Sequence, residues 1–361
     1  MMSALSNHTP LLDKVPNALT VTAILPNYNH SKFLEESIGS LLGQTRPADE
    51  LIIIDDASTD NSVSVILDLI GKSPGAKLLR NSENIGVVAS MNKGLANATG
   101  DIVFFAAADD IYYRRLFEVG AAMLEAYPRA ALFSALSDLI DASGANKGRF
   151  LSPKPLATPG YLDPSTAIRE LLRDDSWFMC NTALYRRSTL LAAGNFDEKL
   201  GPFTDGYMCR LLALQHGACF APEILAGWRR LLTGHASSHT MKTDQAADFV
   251  TLVKARMAAA GGLFPAQYIH RWGRRYTFSG RRFALMHGNA NEAGLMKRSF
   301  DALQILWMFL LLRPWDIGTV TGRWIRELSN RKASTPNGNL PKIASLAASS
   351  SRTRPKTSSY E

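Results

Sequence analysis

Two acidic doublets follow apolar runs in this sequence, and both settings suit ligand chemistry. Asp55 and Asp56 leave the run Leu51–Ile54 and lead into Ala57-Ser58-Thr59-Asp60. Asp109 and Asp110 follow Phe104-Phe105-Ala106-Ala107-Ala108, where three alanines leave room for a ligand. Hard divalent cations such as Mg²⁺ and Mn²⁺ take oxygen ligands, commonly one or two carboxylates completed by substrate phosphates. Helix capping is the competing explanation. Ser58, Thr59, Asp60 and Asn61 are good N-cap residues, which accounts for Asp60 but not for Asp55 or Asp56. A cap for a helix starting near Tyr112 would use one acid of the second doublet, and two adjacent carboxylates repel unless a cation sits between them.

Such residues need elements to hold them. Val21–Leu25 is an apolar run ending at Pro26, and Ser31–Gly43 places Phe33, Leu34, Ile38, Leu41 and Leu42 on one helical face. Leu51–Ile54 is too uniformly apolar for a half-exposed strand and suits a parallel strand covered on both faces. Ser62–Ile70 reads as a helix, Lys77–Leu79 as a strand, Val87–Asn97 as a helix and Ile102–Phe105 as a strand. This alternation predicts an α/β fold with a doubly wound, mostly parallel sheet and helices on both faces. Ligands bind such sheets outside the carboxyl ends of the strands. The loops Pro26–His30, Asp55–Asn61 and Ala106–Tyr112 are therefore the places to look. Further on, Ala131–Ala135 reads as a strand, 152–164 as Pro/Gly-rich loop and Gly206–Gln215 as a helix.

The string Ile24-Leu25-Pro26-Asn27-Tyr28-Asn29, then Gln44-Thr45, Asp55-Asp56-Ala57-Ser58-Thr59-Asp60, Asn84-Ile85-Gly86 and Asp109-Asp110 resembles glycosyltransferase family 2 in order and spacing. The resemblance covers roughly residues 20–235 and implies the GT-A fold of nucleotide-sugar transferases. It implies that Asp56 binds the nucleobase, that Pro26, Tyr28 and Asn29 line the nucleotide pocket, and that Asn84 and Gly86 belong to it. Asp109 and Asp110 fall on the Asp-x-Asp metal site, with Mn²⁺ or Mg²⁺ as the implied cofactor bridging to the donor diphosphate. Many members carry an acid where this chain has Ala107.

Asn181-Thr182-Ala183-Leu184-Tyr185-Arg186-Arg187, Gly194-Asn195-Phe196-Asp197-Glu198 and Thr204-Asp205-Gly206 resemble the family's acceptor half. Asp205 stands at the place of the catalytic base, with Thr204 where a Glu is usual. An inverting transfer needs a carboxylate opposite the leaving group to take the acceptor's proton. A cap for a helix beginning at Gly206 is the structural alternative for Asp205. Trp228, Arg229 and His235 stand where members place groups near the diphosphate or the acceptor. The processive Gln-x-x-Arg-Trp motif is absent, which favours single additions. His30 reads as a solvent-exposed loop histidine.

The bulk numbers set the frame. The 361 residues are 46% hydrophobic and 20% charged, with a formal charge of +8. From residue 249 onward there are 18 Lys+Arg against 5 Asp+Glu, so a basic C-terminal region follows an acidic head. That asymmetry suggests an anionic partner. No nucleic-acid motif accompanies the basic residues, so nucleic acid is not the expected partner. Cys180, Cys209 and Cys219 lack metal-ligand spacing and read as buried thiols. Without an apolar leader or a run of ~20 apolar residues, the expected location is cytoplasmic. Ile305–Leu312 is nearly apolar all round and flanked by Lys297, Arg298 and Arg313. It suits a helix lying on an anionic membrane, or one packed internally. Arg274-Arg275 and Arg281-Arg282 are candidates for a lipid-phosphate acceptor.

The expected organisation is a flexible segment 1–19, a GT-A domain 20–240 with halves 20–112 and 113–240, a basic helical region 241–330 and a disordered tail 331–361. The expected partners are a nucleotide-sugar donor, UDP-linked by family habit, and a saccharide or lipid-linked acceptor for cell-surface polysaccharide or glycolipid. A catalytically impaired binding subunit and a sugar nucleotidyltransferase are the rival readings.

Overall fold

Side chains alternate across a strand, so a strand that is apolar at every position must be covered on both faces. Three of the first four strands come close to this, while the one at the sheet edge, Ala76–Arg80, has no buried residue. In the computed structural model, β1 (Val21–Asn27), β2 (Glu50–Asp55), β3 (Ala76–Arg80) and β4 (Ile102–Phe105) run parallel in the spatial order β3-β2-β1-β4. Ile24, Ile52, Ile54, Val103 and Phe105 enter one core, and Ala23, Leu25, Leu51, Ile53 and Phe104 enter the core on the opposite face. Fully burying each large aliphatic side chain contributes about 1.5–3 kcal/mol; the polar Thr22 within β1 is tolerated because its hydroxyl donates to Glu50 and accepts from Gly100 N.

The structure describes residues 18–71, 73–150, 152–231 and 243–287, with side chains left aside at 243–246 and 278–287. The chain divides into units 1–305 and 306–361, and every described residue belongs to the first. The expected N-terminal lead-in up to residue 17, the 305–312 segment and the 331–361 tail lie outside the described residues.

Helices α1 (Ser31–Leu42), α2 (Ser62–Ile70) and α4 (Leu116–Ala126) bury Leu34, Ile38, Ile66, Ile70, Leu116 and Phe117 on one face of the sheet. The other face is covered by α3 (Val87–Asn97), α5 (Pro164–Arg173), α6 (Arg187–Ala192) and α7 (Thr204–His216). Two C-terminal helices, α8 (Thr243–Ala258) and α9 (Ala266–His287), add Val250, Val253, Met257, Tyr268 and Trp272 to that second core. At Gly94 in α3 an added Cβ would overlap Ile24 and approach Ile54 Cδ1 to 2.9 Å, so the absence of a side chain sets how close α3 lies to β1 and β2.

The second half of the sheet is mixed. β9 (Leu184–Arg186) joins antiparallel to β4 and to β6 (Leu132–Ile140), and β10 (Ala218–Arg229) runs parallel to β6. β5 (Ile111–Tyr112) and β8 (Gly160–Leu162) pair antiparallel with β10, and β7 (Asn146–Arg149) with β6. The sheet is thus mostly parallel where the acidic loops emerge, with helices on both faces.

Several boundaries differ from the sequence expectation. β1 continues through Pro26 to Asn27; β4 pairs only as far as Ile24, so the missing proline N–H faces no strand there. No helix begins near Tyr112: Ile111 and Tyr112 form the edge strand against β10, and α4 begins at Leu116. Within 152–164 lies β8, and α5 opens with Asp163 accepting from Ser165 N at 2.8 Å and Thr166 N at 3.0 Å, followed by Pro164. No helix of the described residues is long and apolar enough to cross a membrane.

Candidate active site

The loops after β1 and β2 are stitched together by side chains. Asn27 Nδ2 donates to Asp55 Oδ1 at 3.0 Å and to Ser58 Oγ at 3.1 Å, and Ser58 N donates to Asp55 Oδ2 at 3.1 Å. Asn29 takes a positive φ of 56°, and its Oδ1 accepts from Thr59 N at 2.7 Å and Asp60 N at 3.2 Å. Asp60 receives Ser62 N at 2.9 Å and Ser31 N at 3.0 Å, tying the starts of α2 and α1. Asp55, fully buried, is therefore a structural member of this knot.

Asp56 anchors the next loop. Its carboxylate accepts from Asn81 Nδ2 at 2.7 Å, Ile85 N at 2.9 Å and Gly86 N at 2.9 Å, and it is 3% exposed. Gly86 holds φ 91° at the start of α3, a conformation that L side chains rarely adopt. Asn84 Oδ1 also receives Gly86 N, at 3.1 Å. Sequence reasoning had no signal for Asn81, which lies 25 residues from Asp56. Tyr28, by contrast, is 42% exposed in the loop that follows β1. Pro26 precedes it, half-buried.

The second doublet is held differently. Ala107 is pinned on both sides: its N donates to Tyr112 Oη at 2.6 Å, and its carbonyl accepts from Tyr112 Oη at 3.1 Å and from Ser37 Oγ at 3.0 Å. Its methyl group is exposed. Asp109 is half-buried and Asp110 is 2% exposed. Burial raises both carboxyls above the ordinary carboxylate range, and at Asp110 the Asp109 charge pushes the same way. Arg229 N donates to Asp110 Oδ1 at 2.8 Å, and Asn181, whose Nδ2 donates to Ser137 Oγ at 3.1 Å, lies beside that carboxylate and favours its charged form.

This donor set fits a hard cation. Two crowded carboxylates favour an added positive charge, and Asn181 Oδ1 beside them is a buried oxygen with no partner. Among the described residues no cluster of three or more His, Cys, Asp or Glu side chains is arranged to hold a metal. A cation there would take Asp109 and Asp110 and complete its shell with diphosphate and water oxygens. His30 departs from the exposed-loop expectation. Its Nδ1 is buried without a partner, its ring lies 6.1 Å from Phe33, and its electrostatic partner is Asp109.

Asp205 sits in the first turn of α7, and Phe203 occupies the N-cap position, so the capping alternative does not describe it. Its Oδ1 accepts from Gly206 N at 2.6 Å. Burial raises its pKa, opposed by the Gly206 N–H, the Cys180 thiol and the Arg210 charge. A single 3₁₀ turn, Cys180–Thr182, lies between this carboxylate and the Asp109–Asp110 doublet: Cys180 favours the charged form of Asp205, and Asn181 that of Asp110. Asn181 was quoted in the sequence motif without a role. Only its neighbours in space reveal one.

Arg229, a candidate for the diphosphate or the acceptor, turns inward. Its side chain is wholly buried, donating to Asp109 O at 2.6 Å, Asp141 O at 2.9 Å and Ala142 O at 3.0 Å, and pairing with Glu36, with the guanidinium 4.8 Å from the Phe33 ring. It braces the Asp109–Asp110 turn from behind, and no phosphate could reach it without breaking these bonds. Trp228 packs edge-on to Phe150 at 5.3 Å. His235 lies outside the described residues. Arg275, expected to meet a lipid phosphate, is instead committed to Asp174, Asp175 and Ser176. The side chains of Arg281 and Arg282 are outside the described part.

Residues 22–190 match the Glycosyl transferase family 2 profile. An uncharacterized glycosyltransferase of Haemophilus influenzae is 39% identical over 94 residues, 26% of this chain and 38% of that protein. The uncharacterized glycosyltransferase YibD of Escherichia coli is 38% identical over 98 residues, 27% of this chain and 28% of that protein. The chain thus spans well under half the length of these curated relatives. Among solved structures, S. aureus TarS 1–349 in complex with UDP-GlcNAc aligns with TM-score 0.56 at 16% identity, covering 81% of each chain. The mannosyltransferase PcManGT of Pyrobaculum calidifontis, in complex with GDP-Man and Mn²⁺, aligns with TM-score 0.54 at 19% identity over 89% of each chain. These two likenesses concern the fold. Residues 22–190, with this sheet and these loops, thus match glycosyl transferase family 2, and the fold is GT-A-like.

Proposed function

We propose that this chain is a metal-dependent, inverting glycosyltransferase that moves one sugar from a nucleotide-sugar donor to a hydroxyl of a saccharide or lipid-linked acceptor. The observation that carries the reading is the Asp109–Asp110 doublet, two adjacent carboxylates, one half-buried and one buried, just beyond the carboxyl end of β4. In the proposed reaction the Asp205 carboxylate takes the acceptor proton, the freed oxygen bonds the anomeric carbon, and the bond to diphosphate breaks with its electron pair leaving on the nucleoside diphosphate. When bound, Mn²⁺ or Mg²⁺ would neutralise that leaving group.

The remaining assignments extend this reading. Tyr28 offers a stacking face for the base, and the Asn84–Gly86 loop, held by Asp56, closes the nucleotide side. Asp56 keeps little free acceptor capacity, so its contribution to base recognition runs mainly through this loop. UDP is the proposed nucleotide; TarS with UDP-GlcNAc and PcManGT with GDP-Man frame the choice.

The test is a panel of UDP-, GDP- and dTDP-sugars with Mn²⁺, read by thermal stabilisation and by slow donor hydrolysis. One donor should stabilise the protein only with the metal present, and Asp110→Asn should remove both signals. Stabilisation by free nucleotides that ignores Mn²⁺ would count against metal-dependent transfer.

A further inference from the structure

The family match ends at residue 190, yet the proposed base lies beyond it, on a helix that the C-terminal helices grip. Phe203, which directly precedes Thr204 and Asp205, is surrounded by aromatic rings from α8 and α9: Phe249 at 6.4 Å, Trp272 at 5.9 Å and Tyr276 at 5.4 Å between centroids. Arg256 of α8 pairs with Asp197 at 2.8 Å. Gly201, at φ 51°, sits so close under Phe249 that an added Cβ would lie 2.7 Å from the ring. Tyr207, one turn into α7, stacks on Phe264 at 6.0 Å.

A polar tie runs through the same contact. Arg210 has a side chain only 5% exposed and spends it on three elements. Its Nη1 donates to Gly206 O at 2.7 Å, its Nη2 to Asp175 O at 2.7 Å, and its Nε to Tyr268 Oη of α9 at 2.8 Å. Tyr268 also reaches Asp175 Oδ2 at 3.4 Å, and Arg275 of α9 joins Asp174 and Asp175. A guanidinium buried this deeply has one orientation in which its donors are satisfied. That orientation holds the Gly206–Tyr207 peptide, one residue on from Asp205.

We infer that α8 and α9 are a positioning element for the proposed catalytic carboxylate, fixing the first turn of α7 through the aromatic box around Phe203 and through the Tyr268–Arg210–Gly206 tie. The inference rests on the reading of Asp205 as the base. Tyr268 is a positioning residue, since its hydroxyl bonds Arg210 and Asp175 and it acts on Asp205 through Arg210. A helical pair that merely extended the hydrophobic core would need no buried arginine aimed at Gly206. Activity should therefore require these helices although they lie outside the matched domain.

The test uses the full chain carrying Tyr268→Phe, which removes one oxygen and keeps the ring. Hydrogen exchange of amides 208–211, the first hydrogen-bonded turn of α7, should quicken at least ten-fold while β1 and α3 stay unchanged. Hydrolysis of UDP-GlcNAc or GDP-mannose in Mn²⁺ should lose at least ten-fold in kcat, with KM within two-fold. In an Asp205→Asn background the same change should cost nothing more in kcat. Wild-type exchange in 208–211, or faster exchange spread equally over β1 and α3, would overturn the inference. So would an unchanged kcat for Tyr268→Phe when Asp205→Asn is inactive. If Asp205→Asn keeps wild-type kcat, the base assignment fails by itself, and the exchange result still decides whether the tie holds α7.

Discussion

Two acidic doublets stand at the ends of neighbouring parallel regions of one sheet, and they are treated in opposite ways. Asp55 and Asp56 follow β2 and accept hydrogen bonds from Asn27, Ser58, Asn81, Ile85 and Gly86. Asp109 and Asp110 follow β4, carry raised pKa values, and rely on Arg229 N and Asn181. The first pair is spent on holding loops. The second is left short of positive charge in a buried place, the condition in which a cation or a phosphate-bound metal gains most. A doublet after a strand therefore says where a crevice is, and the count of donors around it says which doublet can still bind something.

The sharpest way to break this comparison is to make the same change in both doublets. Asp110→Asn should abolish Mn²⁺-dependent donor hydrolysis while leaving the melting temperature near or above wild type, because it removes a charge that burial disfavours. Asp56→Asn should do the reverse. It places an amide N–H₂ against the donors that now meet a carboxylate, at a cost of about 1–3 kcal/mol in unfolding free energy. Its hydrolysis should show a raised donor KM with kcat within a few-fold. If Asp56→Asn removes kcat and Asp110→Asn removes only stability, the two roles are exchanged and the comparison fails.

Asp205 supplies the next effect in size. Loss of a general base costs typically ~10²–10⁴-fold, so Asp205→Asn should fall in kcat within that range and keep its Mn²⁺-dependent donor stabilisation. The wild-type acid limb should lie above the ordinary carboxylate range, since burial raises this group and Cys180 and Arg210 only partly offset it. As pH falls through that raised value the base is protonated and the rate drops. A limb at or below the range of an exposed aspartate would sink the assignment.

Asn181 ranks third. Outer-shell partners of a metal ligand are worth about 10–100-fold in metal affinity. Asn181→Ala should weaken the Mn²⁺ midpoint of thermal stabilisation by about that factor, without touching donor specificity. An unchanged midpoint would leave Arg229 N as the sole orienting partner of Asp110 among those described.

What was legible in the sequence, and what was not, follows from the range of the forces. Leu51–Ile54 and Ile102–Phe105 announce buried parallel strands because every position is apolar, and the loops at their ends follow from the sheet's geometry. Asp205 and the two doublets were locatable by local pattern. Arg229 was not: whether an arginine ending a strand points to a diphosphate or back into the fold depends on Glu36, Asp109 and Asp141, all far away in sequence. The same holds for Ile111–Tyr112, whose strand character comes from Gly227 and Ala226 across the sheet. Asn81, Arg210 and Tyr268 have no local signature at all, since each acts through a partner tens of residues away.

The smallest effect tests the rim of the better-satisfied region. Asp60 is mostly exposed, yet hydrogen bonds from Ser62 and Ser31 outweigh its partial desolvation and bring its pKa down to about 2. A depressed carboxyl stabilises the fold above its unfolded value and loses that contribution as pH falls through the folded one. Asp60→Asn should therefore flatten the acid side of the stability curve between about pH 4 and pH 2. After allowance for solvent screening the difference should be roughly 0.5–1 kcal/mol. Urea unfolding of both proteins at pH 5, 4 and 3 would read it, with the gap between wild type and variant narrowing toward low pH. A gap that stays constant would mean Asp60 holds the starts of α1 and α2 as a neutral acceptor, its charge contributing nothing.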